Sequence, residues 1–196
     1  MEFKVLPGGT ICGEARVPGD KSISHRSVML GALAVGTTVV QGFLEGEDAL
    51  ATVAAFRAMG VEIEGPHNGS LTIHGVGLHG LQAPRNELDL GNSGTSIRLL
   101  AGLLAAQAFS TTLTGDESLR GRPMGRVLLP LSLMGASVSG DKPPLQIAGG
   151  QTLKGIHYDL PMASAQVKSC VLLAGLYAQG ETSVTEPAPT RDHTER

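Results

Sequence analysis

The sequence predicts an α/β protein built from a repeated strand–helix–strand–helix–strand–strand unit, with two copies whole and a third incomplete. Three observations carry this. A Leu/Ala/Gly helix core recurs about every 70 residues, as Met29-Leu30-Gly31-Ala32-Leu33, Leu99-Leu100-Ala101-Gly102-Leu103 and Leu172-Leu173-Ala174-Gly175-Leu176. Each copy follows a polar stretch carrying Arg26, Arg98 or Lys168, and each precedes a Thr-rich run of strand character. Aromatics are 3% of the chain against 41% apolar residues, so the core must be aliphatic.

The elements follow in order. In the first copy the polar stretch and Met29–Leu33 read as one helix, with Ser22 near its N-cap. Thr37–Val40 is a strand. Leu50–Met59 has helical apolar spacing and ends in Gly60, a C-cap signal. Val61–Glu64 alternates as a strand, and Ser70–His74 pairs back across a Gly/Pro/Asn turn. The second copy repeats the series: helix at Leu99–Leu103, strand at Thr111–Leu113, helix at Val127–Met134 closed by Gly135, then strands at Ala136–Ser139 and Leu145–Ala148. The third copy offers a strand near His157, a helix from about Ala163 to Ala178 and a strand at Thr182–Thr185. Its second helix should begin within Thr190–Arg196. Units of about 18–80, 81–152 and 153–196 result, and the last is expected to be truncated rather than naturally short, because missing strands would leave an open edge. Cys12 lies in a predicted N-terminal strand.

Composition excludes several classes. The 196 residues carry a net charge of −3, unlike a general nucleic-acid coat. Two cysteines make neither a disulfide framework nor a zinc site, and the six histidines form no HxH or HExxH pattern, so no metal is expected. The N-terminus lacks a signal core, and the longest apolar run, Cys170–Ala178, is far short of the roughly 20 residues of a membrane span. A cytoplasmic protein without nucleic-acid or membrane partners is expected.

The charges are unevenly placed. Asp20–Arg26, Gly91–Arg98, Leu119–Arg126 and Thr190–Arg196 together hold +5, leaving −8 on the remainder. Basic groups at helix starts in an acidic chain suit a small anionic ligand, because those starts already offer free N–H groups and a positive dipole end. In Asp20–Arg26, Lys21 can point at a ligand from the turn, and Ser22 and Arg26 lie one helical turn apart on one side. An ordinary Ser cap with solvated charges is the other reading, and Asp20 stands where a P-loop needs glycine. In Gly91–Arg98, Gly94 lets a ligand approach the backbone and Asn92 can orient the loop or donate directly. Taken alone that segment reads as a capped helix rather than a site. In Leu119–Arg126, Pro123 fits a helix's first turn, which puts Arg122 at the positive dipole end, a costly place for a cation unless an anion lies between them or the Arg is solvated. Ser164 and Gln166 are neutral donors at a fourth helix start, and Thr190–Arg196, with Arg191, is either a further part of the site or a charged surface helix. Cys170, in the apolar stripe of its helix, reads as core.

Together these segments resemble the 5-enolpyruvylshikimate-3-phosphate synthases, the 3-phosphoshikimate 1-carboxyvinyltransferases. The motifs are PGDKSISHR at 18–26, GNSGTSIR at 91–98, GRPM at 121–124, PMASAQVKS at 161–169 and TRDHTE at 190–195. The related enolpyruvyl transferase of cell-wall synthesis carries asparagine after its early lysine and a loop cysteine; here Ser22 follows Lys21 and no cysteine lies between Cys12 and Cys170. The resemblance implies an inside-out α/β barrel fold of two domains, each with three βαβαββ units in pseudo-threefold array. It implies that residues 1–17 belong to the other domain and 18–196 to this one. It implies transfer of the enolpyruvyl group of phosphoenolpyruvate to the 5-hydroxyl of shikimate 3-phosphate, in aromatic amino-acid biosynthesis, with no cofactor and a monomeric full-length enzyme. By the same resemblance Lys21, Gly94 and Arg122 meet phosphoenolpyruvate, with Asn92 shaping their loop, and glyphosate would sit near Gly94. Ser22, Arg26, Ser164, Gln166 and Arg191 hold shikimate 3-phosphate. Ala165 stands where many members have a second serine. The family's acid/base groups lie in the later domain, so no catalytic residue is assigned here and the chain alone is expected to be inactive. A stand-alone anion-binding module and a scaffold that lost the chemistry remain as alternatives.

Overall fold

The computed structural model describes residues 2–4, 6–10 and 12–196. Six helices and nine strands follow one another among them. The first unit contributes α1 (Lys21–Leu33), β1 (Val35–Gln41), α2 (Glu47–Ala58), β2 (Glu62–His67) and β3 (Ser70–Val76). The second runs β4 (Leu88–Asp89), α3 (Gly94–Leu104), β5 (Thr111–Thr114), α4 (Glu117–Arg120), α5 (Gly125–Leu133), β6 (Val138–Ser139) and β7 (Leu145–Ile147). The third has β8 (His157–Asp159), α6 (Ala165–Gly175) and β9 (Ser183–Thr185).

Sheet order makes the repeat explicit. The second unit's sheet runs β4-β5-β7-β6, with β4 parallel to β5 and the rest antiparallel. The first unit's sheet, β1-β3-β2, is the same order without the opening strand. The third keeps only the parallel opening pair, β8-β9. Alternation sets each inner face: Ile63 on β2, Leu71 and Ile73 on β3, Leu113 on β5, and Leu145 and Ile147 on β7 are buried, while Glu62, Glu64 and Gln146 point outward.

The helices fill the interior. α3 packs against α1, α2, α5 and α6, and Ile97, Leu99, Leu100, Ala101, Leu103 and Leu104 are fully buried, as an all-round apolar helix requires. α2 touches both α1 and α3, and α5 touches both α3 and α6. The tightest crossing is α3 on α6. A Cβ placed on Gly102 would lie 2.1 Å from the Cys170 carbonyl oxygen, so only glycine permits that approach. Both second helices end alike, on Met59-Gly60 and Met134-Gly135, with the glycines at φ +87° and +95°.

Several expectations change. Asp20, not Ser22, caps α1, its carboxylate accepting from the Ile23 N–H at 2.9 Å; a carboxylate serves the positive end of the helix better than a hydroxyl does. Pro123 lies before α5 rather than in its first turn, because the extra helix α4 takes up the preceding residues and Met124 caps α5. α6 is shorter than the span 163–178, starting after the Ser164 cap and ending at Gly175. Thr190–Arg196 forms a turn with one helix-like bond, Arg196 N–H to the Asp192 carbonyl at 3.2 Å, and not a helix. Cys12 is exposed and in no strand; no strand forms among the described residues before α1, where the backbone has no partner strand to bond with. Met1, Val5 and Ile11 of that predicted N-terminal strand segment lie outside the described residues.

Candidate functional site

Three helix starts are tied together by side chains. α1 begins after the Asp20 cap, α3 after Ser93, whose hydroxyl accepts from the Ser96 N–H at 3.1 Å, and α6 after Ser164, whose hydroxyl accepts from the Val167 N–H at 3.4 Å. Arg26 of α1 donates to Ser169 of α6 at 2.6 Å. Gln166 of α6 donates to Thr95 of α3 at 3.1 Å and accepts from Arg98 at the same distance. His25 of α1 lies 3.4 Å from the Ser96 hydroxyl of α3.

Gly94 stands at the centre of one half. A Cβ there would meet the Arg98 Nη1 at 2.7 Å and the Arg122 Nη1 at 2.8 Å, so two guanidiniums converge on a bare backbone. Arg98 donates to the Gly94 carbonyl at 2.9 Å and to the Gln166 amide oxygen. Arg122 donates to the Asn92 amide oxygen and, at 3.3 Å, to Ser118, while Asn92 donates to Asp116 at 2.7 Å. Asn92 therefore links Arg122 to Asp116. Among the described residues neither Arg98 nor Arg122 forms a salt bridge. Burial, then the like charges of Arg122 and Arg126, depress the Arg98 pKa. The Asn92 side chain, followed by the Leu119 N–H, holds the Asp116 carboxyl below its ordinary value.

The other half lies between α1, α6 and residues 186–196. Arg26 is buried and its guanidinium is fully directed: Nε to Thr194 at 2.6 Å, Nη1 to the Ser22 carbonyl at 3.0 Å and Nη2 to Ser169. Ser22 thus meets Arg26 through its carbonyl. Arg191 is exposed and reaches Asp20 at 3.4 Å, with His193 at 3.9 Å from the same carboxyl group. Lys21 pairs with Asp48 at the start of α2. Lys168, nearly buried, pairs with Glu186 and Glu195, each at 2.6 Å. Burial alone would lower the Lys168 pKa, but the hydrogen bonds it donates to Glu186 and Glu195 outweigh that and raise it.

Every predicted site residue therefore lies at or beside the three joined helix starts, in two groups: Asn92, Gly94, Arg122 and Gln166; and Lys21, Ser22, Arg26 and Arg191, with Ser164 at the α6 cap. The sequence reading left out Arg98, Thr95, Ser169 and Thr194. Arg98 could have been found, since it lies four residues after Gly94 and so returns to the same helix face. The other three depend on contacts between distant segments. Away from these starts, cross-strand pairing brings Glu62, Glu64 and His74 within 4.8 Å of one another on the exposed face of β2 and β3, a metal-competent grouping that linear spacing did not reveal. No helix among the described residues is long and apolar enough to cross a membrane.

The family model for EPSP synthase (3-phosphoshikimate 1-carboxyvinyltransferase) matches residues 5–196. A 3-phosphoshikimate 1-carboxyvinyltransferase of Methylococcus capsulatus is 70% identical over 99% of this chain, and one of Alkalilimnicola ehrlichii 68% identical over all of it. The chain spans 45% of the length of each. A solved EPSP synthase of Acinetobacter baumannii superposes with a TM-score of 0.91 at 68% identity, covering 93% of this chain and 42% of that one. The fold is the α/β enolpyruvyl transferase fold, with no closed barrel in this portion. The chain belongs to the EPSP synthase family, of whose members it spans the N-terminal portion.

Proposed function

We propose that this chain supplies one wall of a site that binds phosphoenolpyruvate and shikimate 3-phosphate for enolpyruvyl transfer. The observation that carries the reading is the convergence of Arg98 and Arg122 on Gly94 beside helix starts that the sequence and the relatives assign to one enzyme family. Both substrates carry a phosphate and a carboxylate, and both need charge-assisted hydrogen bonds of this kind.

In this reading Lys21, Gly94 and Arg122 hold phosphoenolpyruvate, and Asn92 shapes their loop. Ser22, Arg26, Ser164 and Gln166 hold shikimate 3-phosphate, and Arg191, exposed at the rim, closes on it. The 5-hydroxyl oxygen of shikimate 3-phosphate bonds to C2 of phosphoenolpyruvate as the hydroxyl loses its proton and C3 gains one. The tetrahedral adduct then loses that C3 proton and expels phosphate. This chain's residues bind and orient; the groups that move the protons come from outside it. Residues 1–17 pair with the other domain and 18–196 form this one. The full-length enzyme is a cytoplasmic monomer without cofactor or nucleic-acid partner, a reading that rests on the family resemblance.

The test is calorimetric titration of shikimate 3-phosphate into the chain, with Arg26→Ala beside it and melting temperatures recorded for both. Binding by the chain that disappears in a folded variant supports the reading. A folded chain that gives no heat with this ligand or with phosphoenolpyruvate defeats it and favours an anion-binding module of other specificity.

A further inference from the structure

A buried polar network behind the helix starts has no part in the ligand contacts proposed above. His25 lies one turn beyond Lys21 on α1 and is fully buried. Its Nδ1 is 2.8 Å from the Thr52 hydroxyl of α2 and 3.4 Å from the Ser96 hydroxyl of α3. The Thr52 and Ser96 hydroxyls are 2.7 Å apart, and those of Ser96 and Ser93 2.6 Å apart. Thr52, Ser93 and Ser96 are buried as completely as His25. The relay ends on the cap of α3, whose next residue is Gly94.

The imidazole's other nitrogen, Nε2, is buried without a partner. An orphaned buried nitrogen is unfavourable, so what His25 contributes comes through Nδ1. Thr52, Ser96 and Ser93 could satisfy one another around an apolar side chain. What such a side chain would lose is the directional link from α1. Apolar packing lets helices slide by fractions of an ångström; a closed set of buried hydrogen bonds does not. Lys21 and Gly94 stand at the two ends of this linkage, on α1 and α3.

We propose that His25 is a positioning residue: through Thr52, Ser96 and Ser93 it fixes where the first turn of α3, and with it the Gly94 backbone, stands relative to Lys21. It touches no ligand. The inference rests on the assignment of Lys21 and Gly94 to phosphoenolpyruvate, where small misplacements of the binding groups are costly.

The test compares His25→Leu, His25→Asn and Thr52→Val. Leucine keeps bulk and removes the hydrogen bond; asparagine returns an amide near the place of Nδ1; valine is isosteric with threonine and cuts the relay one step on. Two readouts are taken: amide exchange at Gly94–Ile97 against Gln166–Lys168, and calorimetric affinity for phosphoenolpyruvate against shikimate 3-phosphate. His25→Leu and Thr52→Val are expected to speed exchange at the α3 start alone. They should weaken phosphoenolpyruvate about tenfold and leave shikimate 3-phosphate within about twofold, with His25→Asn restoring both readouts. Unchanged α3 amides in Thr52→Val, or equal losses for both ligands, would overturn the proposal. If His25→Leu does not fold, the isosteric Thr52→Val decides. If the unsubstituted chain binds neither ligand, the reading of function fails, while the α3 amides still report whether the relay positions Gly94.

Discussion

His25 also has a thermodynamic signature. Burial, helped by the positive charge of Lys21, holds its pKa at about 4, down from 6.5. A histidine whose folded pKa is depressed stabilises the fold fully above its unfolded pKa and loses that stabilisation as pH falls through the gap. Between pH 6.5 and about 4 the loss is on the order of 3 kcal/mol. The melting temperature should fall across that window, and His25→Leu should flatten the slope there. Asp20, Asp116 and Glu186, all held below their ordinary values by hydrogen bonds, act at lower pH and would leave a second, more acidic decline in both proteins. Arg122 behaves differently, because it is partly exposed and, among the described residues, bonded only to Asn92 and Ser118. Arg122→Ala should weaken phosphoenolpyruvate about tenfold or more, the loss of a charge-assisted contact, with thermal stability nearly unchanged in a melting scan. At this scale the sequence showed which residues carry charge, and Asp20–Arg26 and Gly91–Arg98 stood out. It did not show that Arg26 is engaged by Ser169 and Thr194, because those partners lie 143 and 168 residues away.

At the scale of elements, alternation and the Met-Gly helix ends made β2, β3, α2 and α5 readable, since both signals are local. The caps were harder. Asp20 and Ser22 are both good capping types, and only the backbone turn selects Asp20. The four-residue α4 is too short for any periodicity to reveal, which is why Pro123 was displaced from its expected place. The repeated Gly in the helix cores proves to have a packing role at Gly102, where α3 meets the Cys170 carbonyl. Gly102→Ala must push two helix backbones apart, since no flexible side chain can yield. It should cost about 1–3 kcal/mol, visible as a lowered denaturation midpoint with an unchanged slope.

At the scale of the molecule, the second unit is complete and shows what its neighbours lack. The first sheet leaves β1 at an edge, and Val35 there is 95% exposed. The third unit stops at its parallel pair. The repeat period made this arrangement legible, because three similar helix cores need three similar places. The joining of the helix starts was not legible, since it depends on how α1, α3 and α6 cross. On the proposed reading, in which the chain is one wall of the site and the proton-transfer groups lie outside it, the purified chain should release no detectable phosphate from both substrates together. A measured turnover would show that the acid and base reside here.

Arg98 carries one last consequence. Its hydrogen bonds go to a carbonyl and an amide, which fix the guanidinium in place but leave its charge uncancelled. Geometry is satisfied while the guanidinium has no acidic partner among the described residues, so the site presents a fixed positive charge rather than a neutral socket. Added salt should therefore compete with a dianionic ligand here far more than it disturbs the fold around it.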